Sequence, residues 1–126
     1  MEKGNVLIVD DTSTHLLLLK SILEVEGYNI LTYSNPNMAF EALHLNTIDA
    51  ILLDIMMPEL DGFEFLDKIK NDKNLSDIHV IIISAKNDSW SIKNAMEKGA
   101  FDYLTKPINM HDLKNKLRAA VIHKRK

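Results

Sequence analysis

The 126-residue sequence contains no cysteine, which excludes disulfide cross-links, thiol nucleophiles and cysteine-ligated zinc. Stability therefore has to come from a packed core, and a single domain of this length can bury one without staples. Aromatic residues make up only 6% of the chain, and Trp90 is the one tryptophan. Four glycines and three prolines are too few for a linker or a low-complexity tract, so each reads as local punctuation. No apolar run approaches the roughly 18 residues of a membrane span, and the N-terminus lacks a secretory signal pattern. Cytoplasmic residence is the expectation. Neither sign of charge dominates: a net charge of -3 gives no general attraction to nucleic acid or to an anionic membrane. The basic end, His123-Lys124-Arg125-Lys126, reads as a cationic helix terminus that complements the macrodipole.

What is present is an alternation of two patterns. Short apolar, β-branched runs occupy Asn5 to Val9, Tyr28 to Tyr33, Ala50 to Asp54, Ile78 to Ile83 and Ala100 to Thr105. Between them apolar residues recur at helical spacing. Leu16, Leu19, Ile22 and Leu23 face inward from the first helix, which Thr12 or Ser13 caps and Gly27 stops. Asn35-Pro36 opens the second helix, with Ala39, Ala42 and Leu43 inward. The third uses Phe63, Leu66 and Ile69; the fourth, capped by Asp88 or Ser89 and stopped by Gly99, uses Ile92, Ala95 and Met96. The last follows Asn109 and turns Met110, Leu113, Leu117 and Val121 inward. Five strands alternating with five helices predict an α/β, doubly wound, five-stranded parallel sheet between helical layers, flavodoxin-like in three α/β/α layers. One domain is expected over residues 1–126, with no output domain.

The polar residues fall where such a sheet would gather them. Asp10-Asp11 follow the first strand, Asp54 closes the third, Ser84 the fourth, and Lys106 follows the fifth. Ligands of open α/β sheets bind outside the carboxyl ends of the strands. Each residue alone also fits a cap or turn role; four strand ends with complementary chemistry are harder to explain that way. Three converging carboxylates repel one another unless a cation intervenes. A hard ion with oxygen ligands, Mg²⁺ with Mn²⁺ as a substitute, suits them. A carboxylate is also a competent nucleophile towards phosphorus, with Lys106 and Ser84 balancing the phosphoryl oxygens.

The motifs Val9-Asp10-Asp11, Leu53-Asp54-Ile55-Met56-Met57-Pro58 with Asp61-Gly62, Ser84-Ala85, and Gly99-Ala100-Phe101-Asp102-Tyr103 leading to Lys106-Pro107 resemble the receiver domain of the two-component response regulator family, over essentially the whole chain. The resemblance implies a phosphoprotein of a phosphorelay, with Asp54 accepting a phosphoryl group from a sensor histidine kinase or a histidine phosphotransfer protein. It implies Mg²⁺ held by Asp10, Asp11, Asp54 and the backbone carbonyl of Met56, with Asp11 and Asp54 foremost as direct ligands. Lys106 contacts the phosphoryl group, Ser84 and Ala85 lie beside it, and Ser84 and Tyr103 form the switch, in which Tyr103 follows Ser84 inward. The Lys106-Pro107 bond is cis by the same resemblance. Met56 and Lys86 occupy the positions that tune dephosphorylation, and neither is built to position attacking water, so slow loss of the phosphoryl group is expected. The implied protein is a signalling switch with only intrinsic autophosphorylation and autodephosphorylation.

Helical phasing sets Trp90 beside Asn94 and Glu97, opposite the inward residues of the fourth helix. It is either a partner anchor or lies flat on a neighbouring loop. In the first case the fourth helix, fifth strand and fifth helix form the face that meets a downstream protein or a second copy. The five histidines show no metal-ligand spacing; His15 is near the start of the first helix, within reach of the acidic edge, but nothing pairs it with a second ligand, so a surface or capping role is the expectation. A Mg²⁺-dependent phosphohydrolase with an aspartyl nucleophile would want an acid two residues after Asp54, where Met56 stands. A nucleotide- or flavin-binding domain would need a phosphate loop where Asp10-Asp11 repel phosphate.

Overall fold

A computed structural model describes residues 3–55 and 62–125. Ten elements alternate: β1 (Gly4–Val9), α1 (Ser13–Val25), β2 (Tyr28–Tyr33), α2 (Pro36–Leu45), β3 (Ala50–Asp54), α3 (Gly62–Asn71), β4 (His79–Ser84), α4 (Ser89–Glu97), β5 (Asp102–Thr105) and α5 (Met110–Arg125). The strands form one parallel sheet in the order β2-β1-β3-β4-β5, the doubly wound architecture read from the sequence. β3 sits at its centre, and all five of its residues are buried. Strand alternation divides them: Ile51 and Leu53 join the core under α2, α3 and α4, while Ala50 and Leu52 join the core under α1 and α5. A run of apolar residues with no polar partner in the alternation is what two covered faces demand.

Several helix ends among the described residues follow local chemistry. Asn35 accepts the amides of Asn37 (2.8 Å) and Met38 (3.2 Å) ahead of Pro36, and Gly27 and Gly99 take positive φ where helices α1 and α4 stop. Thr12 occupies the N-cap position of α1 but makes no side-chain cap bond; its hydroxyl donates to Asp11 and its amide to Asp10. Five core assignments also shift. Ile22, Phe63, Ile92 and Met110 are only half-buried, and Met96 is 42% exposed. In α4 the residues against the sheet are Ser91 and Ala95. Ser91 tolerates burial because Asp88 accepts both its amide and its hydroxyl at 2.9 Å. Small residues at those positions bring the helix close, and its phase carries Met96 outward.

Beyond the C-terminal end of α3, His44 and Asp72 clamp α2 to the following turn. His44 Nε2 lies 2.8 Å from Asp72 Oδ2, and its Nδ1 3.0 Å from the carbonyl of Phe40. The Asp72 bond raises the His44 pKa above its ordinary 6.5, and the His44 bond lowers that of Asp72 below 3.8. A raised histidine pKa stabilises the fold below 6.5 and loses that contribution as pH rises through the folded value. A depressed aspartate pKa contributes above 3.8 and is lost as pH falls through its folded value. The pair is thus fully formed between those two limits. His44→Ala is expected to lower stability most inside that window. In urea denaturation at several pH values, the gap from wild type should narrow at both extremes; a pH-independent gap would refute it.

Candidate functional site

Parallel register brings the polar strand ends to one edge. Val9 pairs with Leu53, Asp54 with Ile83, and Ser84 with Thr105, so Asp10, Asp54, Ser84 and Lys106 emerge side by side. Carboxylate oxygens of Asp10, Asp11 and Asp54 all lie within 4.8 Å of one another. Asp10 and Asp54 are buried, at 3% and 6% exposure, and Asp11 is exposed. Lys106 Nζ stands 3.2 Å from Asp54 Oδ2 and 3.8 Å from Asp10 Oδ2. Its backbone amide donates to the Ser84 carbonyl at 2.8 Å, which fixes the loop that carries it. The Lys106-Pro107 peptide bond is cis.

Asp10 is held from several sides. Its Oδ1 accepts the Thr12 amide at 2.9 Å, and Thr12 Oγ1 donates to Asp11 Oδ1 at 3.4 Å. Burial is the largest influence on the Asp10 carboxyl, and the neighbouring Asp54 charge works in the same direction. Together they outweigh the Thr12 hydrogen bond and the charges of Lys106 and His15, leaving the pKa raised. One lysine against three acids leaves negative charge in a desolvated place. The donor set is all oxygen and hard, which fits a small divalent cation such as Mg²⁺ better than a soft metal.

At the β4 end Ser84 is fully buried and its Oγ accepts the Lys86 amide at 3.0 Å. Tyr103 donates its hydroxyl to the Lys86 carbonyl at 2.7 Å. Burial, above all, raises the Tyr103 pKa. Tyr103 is already inward, at 8% exposure, whereas the sequence reading had it entering on phosphorylation. Ala85 and the Lys86 side chain are exposed. Met56, expected to offer its carbonyl and to tune dephosphorylation, lies outside the described residues, as do Met57, Pro58 and Asp61.

Trp90 is 66% exposed and meets the Phe63 ring of α3 edge-on, with centroids 6.3 Å apart. It does not join the groove between α4, β5 and α5, a cavity of about 410 Å³ lined by Ile92, Met96, Asp102, Tyr103, Asp112 and Lys116 among others. Asn94 and Glu97 are absent from that lining too; Asn94 is half-buried, and Glu97 lies 3.9 Å from Lys93 along the helix surface. The phase set by Ser91 and Ala95 points Ile92 and Met96 toward β5 and sends Trp90 toward α3. A second cavity of about 390 Å³, mostly apolar, opens beside Asp10 between α1 and the segment from Lys106 to Met110. Sequence periodicity had marked some of its residues as core, so the cavity was not foreseen.

The residues 6–118 match the family model described as response regulator receiver domain. The chain is 35% identical over 119 residues to the probable transcriptional regulator ycf27 of Guillardia theta, covering 94% of this chain and 46% of that protein. It is 32% identical over 110 residues to the two-component response regulator ORR3 of Oryza sativa, covering 86% of this chain and 84% of that protein. The crystal structure of a response regulator receiver domain protein from Clostridium thermocellum superposes with a TM-score of 0.88 at 34% identity, covering 97% of each chain. A parallel five-stranded sheet with acids at its carboxyl edge, in a chain so matched, defines a signal-receiving module. The chain belongs to the response regulator receiver domain family. It spans about half the length of longer curated relatives such as ycf27. Among the described residues no helix is long and apolar enough to cross a membrane.

Proposed function

We propose that this domain accepts a phosphoryl group on Asp54 from a phosphohistidine of a sensor kinase or phosphotransfer protein and thereby switches its choice of partner. The observation that carries this reading is the meeting of Asp10, Asp11, Asp54 and Lys106 within one small volume at the sheet edge. In the transfer, an Asp54 carboxylate oxygen forms a bond to phosphorus as the phosphorus–nitrogen bond of the donor breaks. The donor imidazole, protonated on its other ring nitrogen, takes the bonding pair and leaves as neutral imidazole. Asp10, Asp11 and Asp54, with the Met56 carbonyl, would hold Mg²⁺, and the ion's charge would stabilise the phosphoryl oxygens. Lys106, already 3.2 Å from Asp54, supplies the second positive charge, and Ser84 the hydroxyl donor.

The reading of the switch follows from the hydrogen bonds on the far side of Ser84. Its Oγ holds the Lys86 amide while Tyr103 holds the Lys86 carbonyl. A phosphoryl group that engages Ser84 therefore acts on both bonds and through them on β5. Because Tyr103 is already buried, phosphorylation favours one of two packings rather than driving the ring inward. The groove of Ile92, Met96, Asp102 and Lys116 is the surface that registers the change, toward a downstream protein or a second copy. The function is that of a switch; turnover is confined to gain and slow loss of its own acylphosphate, with Met56 and Lys86 setting the rate of loss.

Incubation with a small acylphosphate or phosphoramidate donor tests the reading. With Mg²⁺ the protein should gain one acid-stable, base-labile phosphoryl group, and with excess chelator the gain should fall by at least tenfold. Labelling independent of the metal would overturn it.

A further inference from the structure

His15 lies in the first turn of α1, and its Nδ1 sits 3.4 Å from Asp10 Oδ2. That separation places the two as an ion pair, yet Nδ1 has no partner in hydrogen-bond geometry and less than 1 Å² of exposed area. The ring as a whole is not buried: the side chain is 45% exposed. One nitrogen is therefore shut against a carboxylate while the rest of the ring reaches solvent. The other Asp10 oxygen is already taken by the Thr12 amide. Oδ2 is the oxygen that Lys106 approaches at 3.8 Å, so His15 and Lys106 flank it.

A nitrogen enclosed beside a carboxylate oxygen has one favourable state. If Nδ1 carried the lone pair, two acceptors would face each other; if it carries the hydrogen, the N–H faces Oδ2, and a small turn of the ring brings the two into hydrogen-bond geometry. We infer that His15 is a positioning residue, whose Nδ1–H fixes the orientation of the Asp10 carboxylate and so sets the affinity of the acid cluster for a divalent cation. This inference rests on the metal-site reading above. Hydrogen-bonded partners behind metal-facing groups typically contribute tenfold or more to affinity by restricting orientation. The ring is half-exposed at a helix start, so melting curves of its variants check that the fold survives without it. The Nδ1–H tautomer is the less populated one for a free neutral imidazole, which makes it a diagnostic signature.

Two measurements decide the matter. Nitrogen-detected NMR of metal-free wild-type protein, at a pH where the spectrum itself shows the His15 ring neutral, should find its hydrogen on Nδ1. Calorimetric Mg²⁺ titration should show His15→Ala weaker than wild type by about tenfold. His15→Asn, whose amide nitrogen stands near the Nδ1 position, should bind within about threefold of wild type, since it restores the donor. Circular dichroism melting curves for all three proteins should coincide. An Nε2–H tautomer, an alanine variant with undiminished affinity, or an asparagine variant as weak as alanine overturns the inference. If wild-type protein binds no Mg²⁺, the reading of the site itself fails, while the tautomer still decides whether His15 holds Asp10.

Discussion

Asp54→Ala is expected to take up no phosphoryl group under conditions in which the wild-type protein is labelled to near one equivalent. Two further carboxylates are close by, but neither is placed to take over the reaction. Asp10 has one oxygen bound by the Thr12 amide and the other flanked by His15 and Lys106. Asp11 is exposed and lies on the outer side of the cluster, with Thr12 against one oxygen. Asp54 alone combines burial at a strand end with a lysine ammonium at 3.2 Å. Asp54→Ala removes both the nucleophile and one of the oxygens proposed to hold Mg²⁺, which abolishes the reaction rather than slowing it. The fold should persist, because Lys106 keeps Asp10 as a partner. Intact-mass measurement after incubation with donor and Mg²⁺ checks this. Labelling of Asp54→Ala at the wild-type level would move the acceptor to Asp10 or Asp11.

The second large effect is on stability. Gly62→Ala should cost about 3 kcal/mol or more, a severe value for adding one methyl group. A Cβ built on Gly62 would stand 2.2 Å from the Ile55 Cα and 2.7 Å from its Cβ. These are main-chain and branch atoms of the residue directly after β3, so no flexible side-chain end can yield. The Gly62 amide also donates to the Ile55 carbonyl at 3.2 Å, which ties the start of α3 to the same residue. The only relief is displacement of Ile55, and Asp54 is its chain neighbour. Gly62→Ala should therefore lose phosphoryl uptake along with stability. Urea denaturation gives the first quantity, and a loss below about 1 kcal/mol would show that the two segments can separate cheaply.

These two residues differ in how they could be known in advance. Asp54 is legible because a buried apolar run ends on a charge, and because Asp10, Ser84 and Lys106 follow comparable runs. Gly62 reads from sequence as a turn glycine after Asp61; that it is needed for space against Ile55 emerges only when α3 is laid on β3. Helix caps show the same division. Asn35 and Asp88 cap as local chemistry predicts, since each has amides two or three residues ahead within reach. Thr12 makes no cap bond; its hydroxyl turns to the Asp11 carboxylate.

The sequence by itself determined the alternation of strands and helices, the parallel sheet and the edge on which the acids gather. Those follow from periodicity and from which residue ends each strand, both local properties. Tertiary structure decided the direction in which surfaces look. Ser91, buried through its bonds to Asp88, sets the phase of α4, which turns Met96 outward and Trp90 onto Phe63. It also decided that Tyr103 lies inward on Lys86 and that His15 closes against Asp10. Such facts depend on distances between residues far apart in the chain or on competition among several donors for one oxygen, and no spacing along a single segment encodes them.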